Sequence, residues 1–315
     1  TLPNGEATTG KLSFKLRIEQ AARDIAEFCG FSQGMCYSFE SPKVFDKLLL
    51  PKDSPLRRTV EIMNPLGEDY SIMRTTSLNG MLTSLATNYN RRNKDARLYE
   101  LGNIYLPKSL PLTDLPEERM QFTLGMYGKG DFFSMKGVVE EFFEKIGMKD
   151  RETYDPNAGK PYLHPGRQAN ILYDGKVVGY LGELHPEVAD IYGIGERAYV
   201  AVIDMPQIME YATFDRKYYG IAKYPAVTRD LSMVVPKEVL VGQIEDVLAQ
   251  RGGKLLESYK LFDLYEGSQI LAGFKSVAYS ITFRAKDHTL TDDEVGGVMK
   301  KILNGLNGLG IELRA

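Results

Sequence analysis

The sequence predicts an α+β protein of two domains, and three observations support this prediction. Its 315 residues suffice for two hydrophobic cores, and 43% hydrophobic and 26% charged residues are ordinary for a globular chain. Helical and extended patterns of apolar residues are mixed along residues 14–215. Residues 216–315 then follow the order strand, helix, strand, strand, helix, strand, which is the ferredoxin-like βαββαβ arrangement.

Three helices are predicted in the first domain. Residues 1–13, rich in Gly, Thr and Pro, are interpreted as a linker that precedes it. Apolar residues recur at helical spacing over residues 14–28 and again over residues 77–89. The third helix is predicted to begin with Ser134 as its N-cap and to end at Gly147. Each of these helices has one apolar stripe to bury.

The strands of the first domain are predicted from short runs of β-branched and aromatic residues. They cover residues 97–105, 120–127, 169–173, 177–181 and 199–203. The pair Asp174–Gly175 separates two of them and is the strongest signal in the chain for a two-residue hairpin turn. We therefore expect an antiparallel sheet flanked by helices.

The second domain, residues 216–315, is predicted to leave one face of its sheet open. Its strands are predicted at residues 230–235, 255–265, 276–283 and 311–313, and its helices at residues 239–251 and after the capping box Thr291–Glu294. Along the third strand, Val277, Tyr279, Ile281 and Phe283 alternate with Ser276, Ala278, Ser280 and Thr282. Because two helices would cover the apolar face, the polar face is expected to remain exposed.

Cysteine and histidine content argues against a zinc site or a disulfide framework. The chain has two cysteines, Cys29 and Cys36, and three histidines, so the cysteines are predicted to be free thiols in a reducing, cytoplasmic setting. No run of about 18 apolar residues is present in the sequence, so no membrane helix is expected. The start at Thr1 lacks an initiator Met and a signal peptide, and it is interpreted as a cut inside a longer protein.

The two predicted domains differ in charge. Residues 216–315 carry fourteen Lys and Arg against twelve Asp and Glu, a net charge of +2, whereas residues 1–215 carry 25 against 30, a net charge of −5. A slightly basic second domain is compatible with RNA contact but does not by itself predict it. The sequence contains no Walker loop, no dinucleotide-binding glycine motif and no nucleophile elbow. Composition and spacing alone therefore leave the function open.

Four segments of the second domain resemble the ferredoxin-fold anticodon-binding domain of phenylalanyl-tRNA synthetases. They are Pro-Ala-Val-Thr-Arg-Asp at 225–230, Leu-Phe-Asp-Leu-Tyr-Glu-Gly at 261–267, Lys-Ser-Val-Ala-Tyr at 275–279 and Asp-His-Thr-Leu-Thr-Asp-Asp-Glu-Val at 287–295. They occur in the family's order and on the elements already predicted, so the resemblance is specific.

The first domain is similar to the synthetase-like core of the β subunit of the same family. The matching segments are Asn-Pro-Leu at 64–66, Met-Arg-Thr-Thr-Ser-Leu at 73–78, Glu-Leu-Gly at 100–102, Met-Lys-Gly at 135–137, His-Pro-Gly-Arg-Gln-Ala at 164–169 and Gly-Glu-Leu-His-Pro at 182–186. Asn79 stands where the family usually has Pro. The resemblance implies a class II synthetase-like antiparallel sheet domain followed by a ferredoxin-like βαββαβ domain, together forming the C-terminal part of that β subunit.

The resemblance implies a non-catalytic subunit fragment of phenylalanine–tRNA ligase. It would assemble with the α subunit as an α2β2 heterotetramer, and the complex, rather than this fragment, would use ATP and Mg²⁺. The class II active site needs a late Gly-rich segment ending in Arg, but residues 196–211 contain no Gly and only Arg197. No catalytic or metal-binding residue is therefore assigned, and Arg97 is interpreted as a structural or interface residue. Helices 77–89 and 135–146 could form the subunit interface, or they could bury their stripes internally.

The resemblance also implies contact between the second domain and the anticodon stem-loop of tRNA(Phe). The candidate tRNA-binding residues are Arg229, Tyr265, Ser280, Arg284 and Lys286. Tyr265 could stack on a base, and the basic residues could meet phosphates. Two other hypotheses remain open: a free-standing RNA-binding or regulatory module derived from a synthetase, and an independent enzyme that uses the synthetase-like cleft.

Overall fold

The computed structural model describes residues 5, 9–149, 151–218, 220–267 and 269–314. The chain divides into two compact units, Thr1–Arg216 and Lys217–Ala315. Much of the predicted linker, residues 1–4 and 6–8, lies outside the described residues.

The first unit is built on a seven-stranded sheet. In chain order its elements are α1 (Phe14–Phe28), β1 (Ser32–Gln33), β2 (Phe39–Glu40), α2 (Val44–Lys47), β3 (Ile72–Met73), α3 (Leu78–Asn90), β4 (Ala96–Leu106), β5 (Glu117–Tyr127), α4 (Phe132–Lys145), β6 (Glu152–Asp155), β7 (Leu163–Tyr173), β8 (Lys176–Leu184), α5 (Pro186–Tyr192), β9 (Ala198–Asp204) and α6 (Met205–Met209). The strand order in the large sheet is β1-β4-β5-β9-β8-β7-β6, and β2 and β3 form a separate pair.

The large sheet is antiparallel except at one edge. There β1 pairs with β4 in parallel, with Ser32 opposite Leu98. The sequence predicts an antiparallel sheet, and the short parallel strand β1 is an addition to it. Because β1 is only two residues long, it has no alternating pattern from which a strand could be predicted.

The hairpin predicted at Asp174–Gly175 is confirmed. Strands β7 and β8 pair with Tyr173 opposite Lys176, and the two turn residues have φ values of 49° and 75°. Positive φ at both central positions is the turn that matches the twist of the flanking strands, and Asp and Gly adopt it readily.

The predicted start of helix α4 is wrong by three residues. Asp131 is the N-cap, and Ser134 lies in the first helical turn. Asp131 Oδ1 accepts from the Ser134 backbone N–H at 2.8 Å, and the Asp131 N–H donates to Ser134 Oγ at 3.2 Å. Each side chain thus accepts a hydrogen bond from the other residue's backbone N–H, which would otherwise have no partner. The helix begins at the residue after Asp131 because the Asp131 carboxylate reaches the first turn from there.

Apolar side chains cover both faces of the large sheet. Along β5, Phe122, Leu124 and Met126 face the core formed with α1, α4 and α6. The intervening residues face α3: a Cβ on Gly125 would lie 2.8 Å from Met81, and Tyr127 belongs to the core that α3 helps to form. Because successive side chains of a strand point to opposite faces, the centre of the sheet is buried on both sides.

The second unit has the predicted βαββαβ order. Its elements are β10 (Val227–Pro236), α7 (Val241–Gly252), β11 (Leu256–Tyr265), β12 (Phe274–Phe283), α8 (Asp292–Asn307) and β13 (Glu312–Leu313). The strand order is β11-β12-β10-β13, with every pair antiparallel. Ile244 and Leu248 of α7 and Ile302 of α8 belong to one core with the apolar face of the sheet. The predicted capping box is also confirmed, since the Thr291 N–H donates to Glu294 Oε2 at 2.9 Å.

Candidate nucleic-acid interface

The open face of the second unit's sheet is defined by the strand register. Residues opposite each other in antiparallel strands share a face, and Val277, Tyr279 and Ile281 of β12 are buried in the helix-covered core. Ser280 therefore lies on the other face. It is opposite Asp230 of β10 and Lys260 of β11.

A polar row extends across three strands on this open face. Its members are Thr228, Asp230, Ser232, Ser258, Lys260, Asp263, Ser280 and Thr282. The row offers hydroxyl groups, the Lys260 ammonium group and the carboxylates of Asp230 and Asp263. Such a surface can hydrogen-bond the edges of unstacked bases.

Tyr265 lies at the opposite end of the open face from Thr282. It is opposite Ser276 and is 37% exposed. A Cβ on Gly267 would overlap the hydroxyl end of the Tyr265 ring, so Gly267 leaves space for that ring. Arg314 Nη1 donates to Ser276 Oγ at 3.3 Å. Sequence reasoning did not select Arg314 as a site residue, although its place two residues after Glu312 of β13 puts it on this face.

Arg284 is tied down by two neighbours. Its Nε donates to Glu257 Oε1 at 2.8 Å, and its Nη1 donates to the Tyr224 carbonyl. The guanidinium is only partly exposed. Its positive charge is therefore partly balanced before any ligand approaches.

Lys286 is exposed on the connection between β12 and α8. It has no ion pair with any residue that the structure describes, so its ammonium group is available to a ligand. Its neighbour His288 contacts Asp287 at 2.8 Å and Glu294 at 2.9 Å. These two carboxylates raise the pKa of His288, and they make the surroundings of Lys286 less positive.

Arg229 is separated from the other candidates. It is opposite the buried Ile281 and therefore lies on the helix-covered side of the sheet. Its Nη2 donates to Asp292 Oδ1 at 2.7 Å, in the first turn of α8. The sequence indicates this position, because every second residue of a strand shares a face and Arg229 therefore lies on the same face as the apolar Leu231 and Met233.

In the first unit, Arg97 is hydrogen-bonded to the backbone at two points. Its Nη1 donates to the Cys29 carbonyl at 3.1 Å, and its Nη2 donates to the Lys129 carbonyl at 3.3 Å. The guanidinium lies 5.9 Å from the centroid of the Phe31 ring. Arg97 thus joins the end of α1 to β4 and to the turn after β5.

No metal centre is present among the described residues, since they include no group of three or more His, Cys, Asp or Glu placed to hold an ion. Cys29 and Cys36 are free thiols, and burial raises the pKa of both. Within the described part of the chain, no helix is both long and apolar enough to span a membrane.

The fold of the chain resembles that of a solved aminoacyl-tRNA synthetase. The chain superimposes on the pyrrolysyl-tRNA synthetase of Desulfitobacterium hafniense with a TM-score of 0.51 and 14% sequence identity. The match covers 63% of this chain and 70% of the other. At this identity the likeness concerns the fold alone.

Two family models match the sequence in succession. Residues 1–205 match the phenylalanyl-tRNA synthetase beta chain CLM domain, and residues 222–314 match the ferredoxin-fold anticodon-binding domain. The chain therefore belongs to the phenylalanyl-tRNA synthetase beta chain family.

Relatives named phenylalanine–tRNA ligase beta subunit agree with this assignment. Those of Clostridium tetani and Clostridium acetobutylicum are each 44% identical over 315 residues, which is all of this chain but 40% and 39% of theirs. That of Symbiobacterium thermophilum is 35% identical over 326 residues, or 36% of its length. The chain thus spans about two-fifths of the relatives it matches.

Proposed function

We propose that the chain is a non-catalytic part of a phenylalanine–tRNA ligase beta subunit. It binds tRNA(Phe) through its second unit and supports the active site of the α subunit in an α2β2 complex in the cytoplasm. The observation that carries the proposal is the order of the two family models, 1–205 and then 222–314, along a single chain.

The packing of the large sheet supports a non-catalytic role. Met81 and Leu85 of α3 fill the space above Gly125, where even a Cβ would lie 2.8 Å and 3.0 Å from them. The opposite face is filled by the core that includes Phe142 of α4. A nucleotide over the centre of the sheet would have to displace one of these cores. We therefore place ATP and Mg²⁺ on the α subunit rather than on this chain.

The open sheet face supports tRNA binding by the second unit. The exposed ring of Tyr265 can stack on an unstacked base, and Ser280 can hydrogen-bond a base edge in the middle of the polar row. Lys286 is the candidate with the most available charge for a phosphate. Arg284 can contribute through the part of its guanidinium that Glu257 leaves free.

Arg229 takes an indirect part in this proposal. Its exposed ion pair with Asp292 links the start of α8 to β10. We therefore expect it to act on RNA binding by positioning the rim rather than by touching a base.

The predicted interface helices bury their stripes inside the first unit. Leu78, Leu82 and Leu85 of α3 are fully buried, as are Met135 and Phe142 of α4. The α subunit therefore needs another surface.

An exposed aromatic group on the first unit offers that surface. The Tyr37 ring lies 6.5 Å from that of Phe39 and 6.0 Å from that of Tyr70, and Met35, two residues earlier in the chain, is almost fully exposed. Contiguous exposed apolar groups of this kind mark protein interfaces. We propose that the α subunit covers Met35 and Tyr37.

The subunit proposal is tested by mixing the chain with its cognate α subunit and measuring the mass of the complex by light scattering. A stable mixed assembly, weakened by Met35→Ser with Tyr37→Ser but not by Leu271→Ser in the second unit, is expected. ATP–pyrophosphate exchange that depends on phenylalanine, seen with the chain free of α, would contradict the non-catalytic role. Absence of association together with retained RNA binding would favour the free-standing RNA-binding module.

The tRNA proposal is tested by fluorescence anisotropy with labelled tRNA(Phe) and with a second tRNA as competitor. Stacking on one aromatic ring contributes about 1–3 kcal/mol, so Tyr265→Ala should weaken tRNA(Phe) binding roughly 5- to 150-fold. Tyr265→Phe keeps the ring and should restore most of it. Tyr37→Ala, at a side chain that is 74% exposed in the first unit, is the matched control and should have no effect. Equal loss in both Tyr→Ala variants would refute the assigned face.

A further inference from the structure

Four exposed cations gather at one end of the first unit's sheet. Arg91, Arg92 and Lys94 belong to the turn between α3 and β4, and Lys129 belongs to the turn between β5 and α4. The pairing of β4 with β5 brings these turns together, so closely that a Cβ on Gly128 would lie 2.5 Å from the Lys94 carbonyl oxygen. We call Arg91, Arg92, Lys94 and Lys129 the basic strip.

The basic strip contrasts with the charge of its unit. Residues 1–216 carry 26 Lys and Arg against 30 Asp and Glu, so the net charge is 26 − 30 = −4. Within the described residues, Arg91, Arg92 and Lys94 make no ion pair. In the part of the chain that the structure describes, Lys129 pairs with Asp95 alone, at 3.6 Å, and its side chain remains 85% exposed. Among the described residues, the strip is therefore a largely unpaired positive region on an acidic unit, with Asp95 as the carboxylate beside Lys129.

Arg92 occupies a backbone position that favours glycine. Helix α3 ends with the Arg92 N–H donating to the Tyr89 carbonyl and the Asn93 N–H donating to the Asn88 carbonyl. In this type of helix end the residue after the C-cap takes left-handed dihedral angles, and it is usually Gly. Arg92 takes them with φ of 63°. Arg92 thus adopts this conformation at a cost that Gly would avoid, which points to a use for its charge.

A polar pocket of about 410 Å³ lies beside the strip. Its lining includes Ser32, Asn88, Asp95, Arg97 and Lys129. The Arg97 guanidinium is held in place by two backbone carbonyls, those of Cys29 and Lys129. The N–H groups of Arg97 that these carbonyls leave free can donate to a phosphate oxygen with little loss of side-chain entropy.

The composition of the strip favours a nucleic acid over a protein as its partner. The segment Asn-Arg-Arg-Asn-Lys-Asp at 90–95 has no apolar side chain, whereas protein interfaces depend on buried aromatic and aliphatic anchors. Arg, Lys and Asn are among the side chains that contact phosphates and sugars. We propose that the basic strip binds the phosphodiester backbone of RNA, as a second contact region outside the anticodon-binding unit. This inference rests on the proposed function in that the RNA is the tRNA bound by the same chain.

The test measures RNA affinity of the full chain against salt concentration, from 50 to 200 mM, with labelled tRNA(Phe) and with an RNA duplex of unrelated sequence. The strip variant carries Arg91→Gln, Arg92→Gly, Lys94→Gln and Lys129→Gln. Removal of one cation that neutralises a phosphate lowers the slope of log affinity against log salt by about 1. We expect the slope to fall by about 3 and the affinity at 50 mM salt to fall roughly 10- to 100-fold, on both RNAs alike.

A matched variant controls for the loss of four charges. Lys43→Gln, Lys47→Gln, Lys52→Gln and Lys108→Gln remove four exposed cations elsewhere in the same unit, and they should leave the slope within about 1 of wild type. The single variant Arg92→Gly controls for folding. Because Gly suits a φ of 63°, its melting temperature should not fall below that of the wild type while its RNA affinity drops.

Three results would overturn the inference. The first is a strip variant that binds RNA with the same affinity and salt dependence as the control variant. If Tyr265→Ala still weakens RNA binding in that case, the proposed function stands without the basic strip. The second is unchanged RNA binding with loss of α-subunit association, which would assign the strip to an acidic protein surface. The third is a wild-type chain that binds neither RNA, and in that case the proposed tRNA function fails as well.

Discussion

The titration of Glu40 is a property of the fold that can be tested directly. Glu40 is only 4% exposed. Its Oε2 accepts from Asn79 Nδ2 at 3.2 Å, and its Oε1 has no hydrogen-bond partner among the described residues. Burial raises the pKa of the Glu40 carboxyl from 4.5 to about 7, against the smaller opposing effects of Asn79 and Arg74. We predict that Glu40→Gln removes the contribution of this carboxyl to the pH dependence of the free energy of unfolding.

The sign and size follow from proton linkage. Between pH 4.5 and 7 the folded state holds a proton that the unfolded state has released, so stability falls as pH rises through this window. At about 1.4 kcal/mol per pH unit, the difference between 4.5 and about 7 corresponds to roughly 3 kcal/mol. This stability is present in the wild type below pH 4.5 and is lost by about pH 8. Gln does not titrate, so the variant should gain roughly 3 kcal/mol on the wild type over that range.

The assay is urea unfolding followed by circular dichroism at several pH values between about 4.5 and 8, with the transition of the first unit fitted separately from that of the second. Glu61→Gln is the control, because Glu61 is an exposed carboxylate that also lies opposite Ile72, the residue that Glu40 pairs with. Its pH profile is compared with that of Glu40→Gln. Parallel pH profiles for the wild type and Glu40→Gln would refute the reasoning, because Glu40 would then titrate alike in both states.

Three further predictions concern stability. Arg74→Met leaves Glu100, its buried partner at 3.0 Å, without a counter-charge. It should lower the free energy of unfolding, measured by urea titration, by about 3–5 kcal/mol. The double variant Arg74→Met with Glu100→Leu should recover most of this loss, and additive losses would contradict the coupling. Gly125→Ala places a methyl group 2.8 Å from Met81 and should cost about 1–3 kcal/mol, a cost that Met81→Ala in the same chain should relieve. Thr291→Ala removes the N-cap of α8 and should destabilise the second unit alone by about 1 kcal/mol, so an equal shift in the first unit's transition would count against it.

Local features of the sequence were sufficient for most of the fold. The apolar stripe of residues 14–28 coincides with α1, the Asp174–Gly175 turn joins β7 to β8, and the second unit has its predicted order. In each case neighbouring residues determine the outcome: a helical repeat, two positive φ values, or a capping box. The start of α4 was predicted wrongly because both Asp131 and Ser134 can cap a helix, and only their reciprocal hydrogen bonds distinguish them.

The candidate site was less accessible to sequence reasoning. Alternation along β12 separates the buried Tyr279 from Ser280, and the same alternation along β10 places Arg229 on the helix-covered side, away from the predicted site. Which cations are already engaged could not be read from the sequence at all. Arg284 is paired with Glu257, which lies 27 residues away, whereas Lys286 is free among the described residues.

The family, the two-part α+β architecture and the alternation that leaves one sheet face polar are all properties of the sequence alone, because each depends on motifs or periodicities within a few residues. Three other features required the tertiary structure: β1 joins the sheet in parallel, Glu40 is buried beside Asn79, and the turns carrying Lys94 and Lys129 meet. These features depend on contacts between residues distant in the chain. Such contacts follow from how whole elements pack, and no local pattern encodes them.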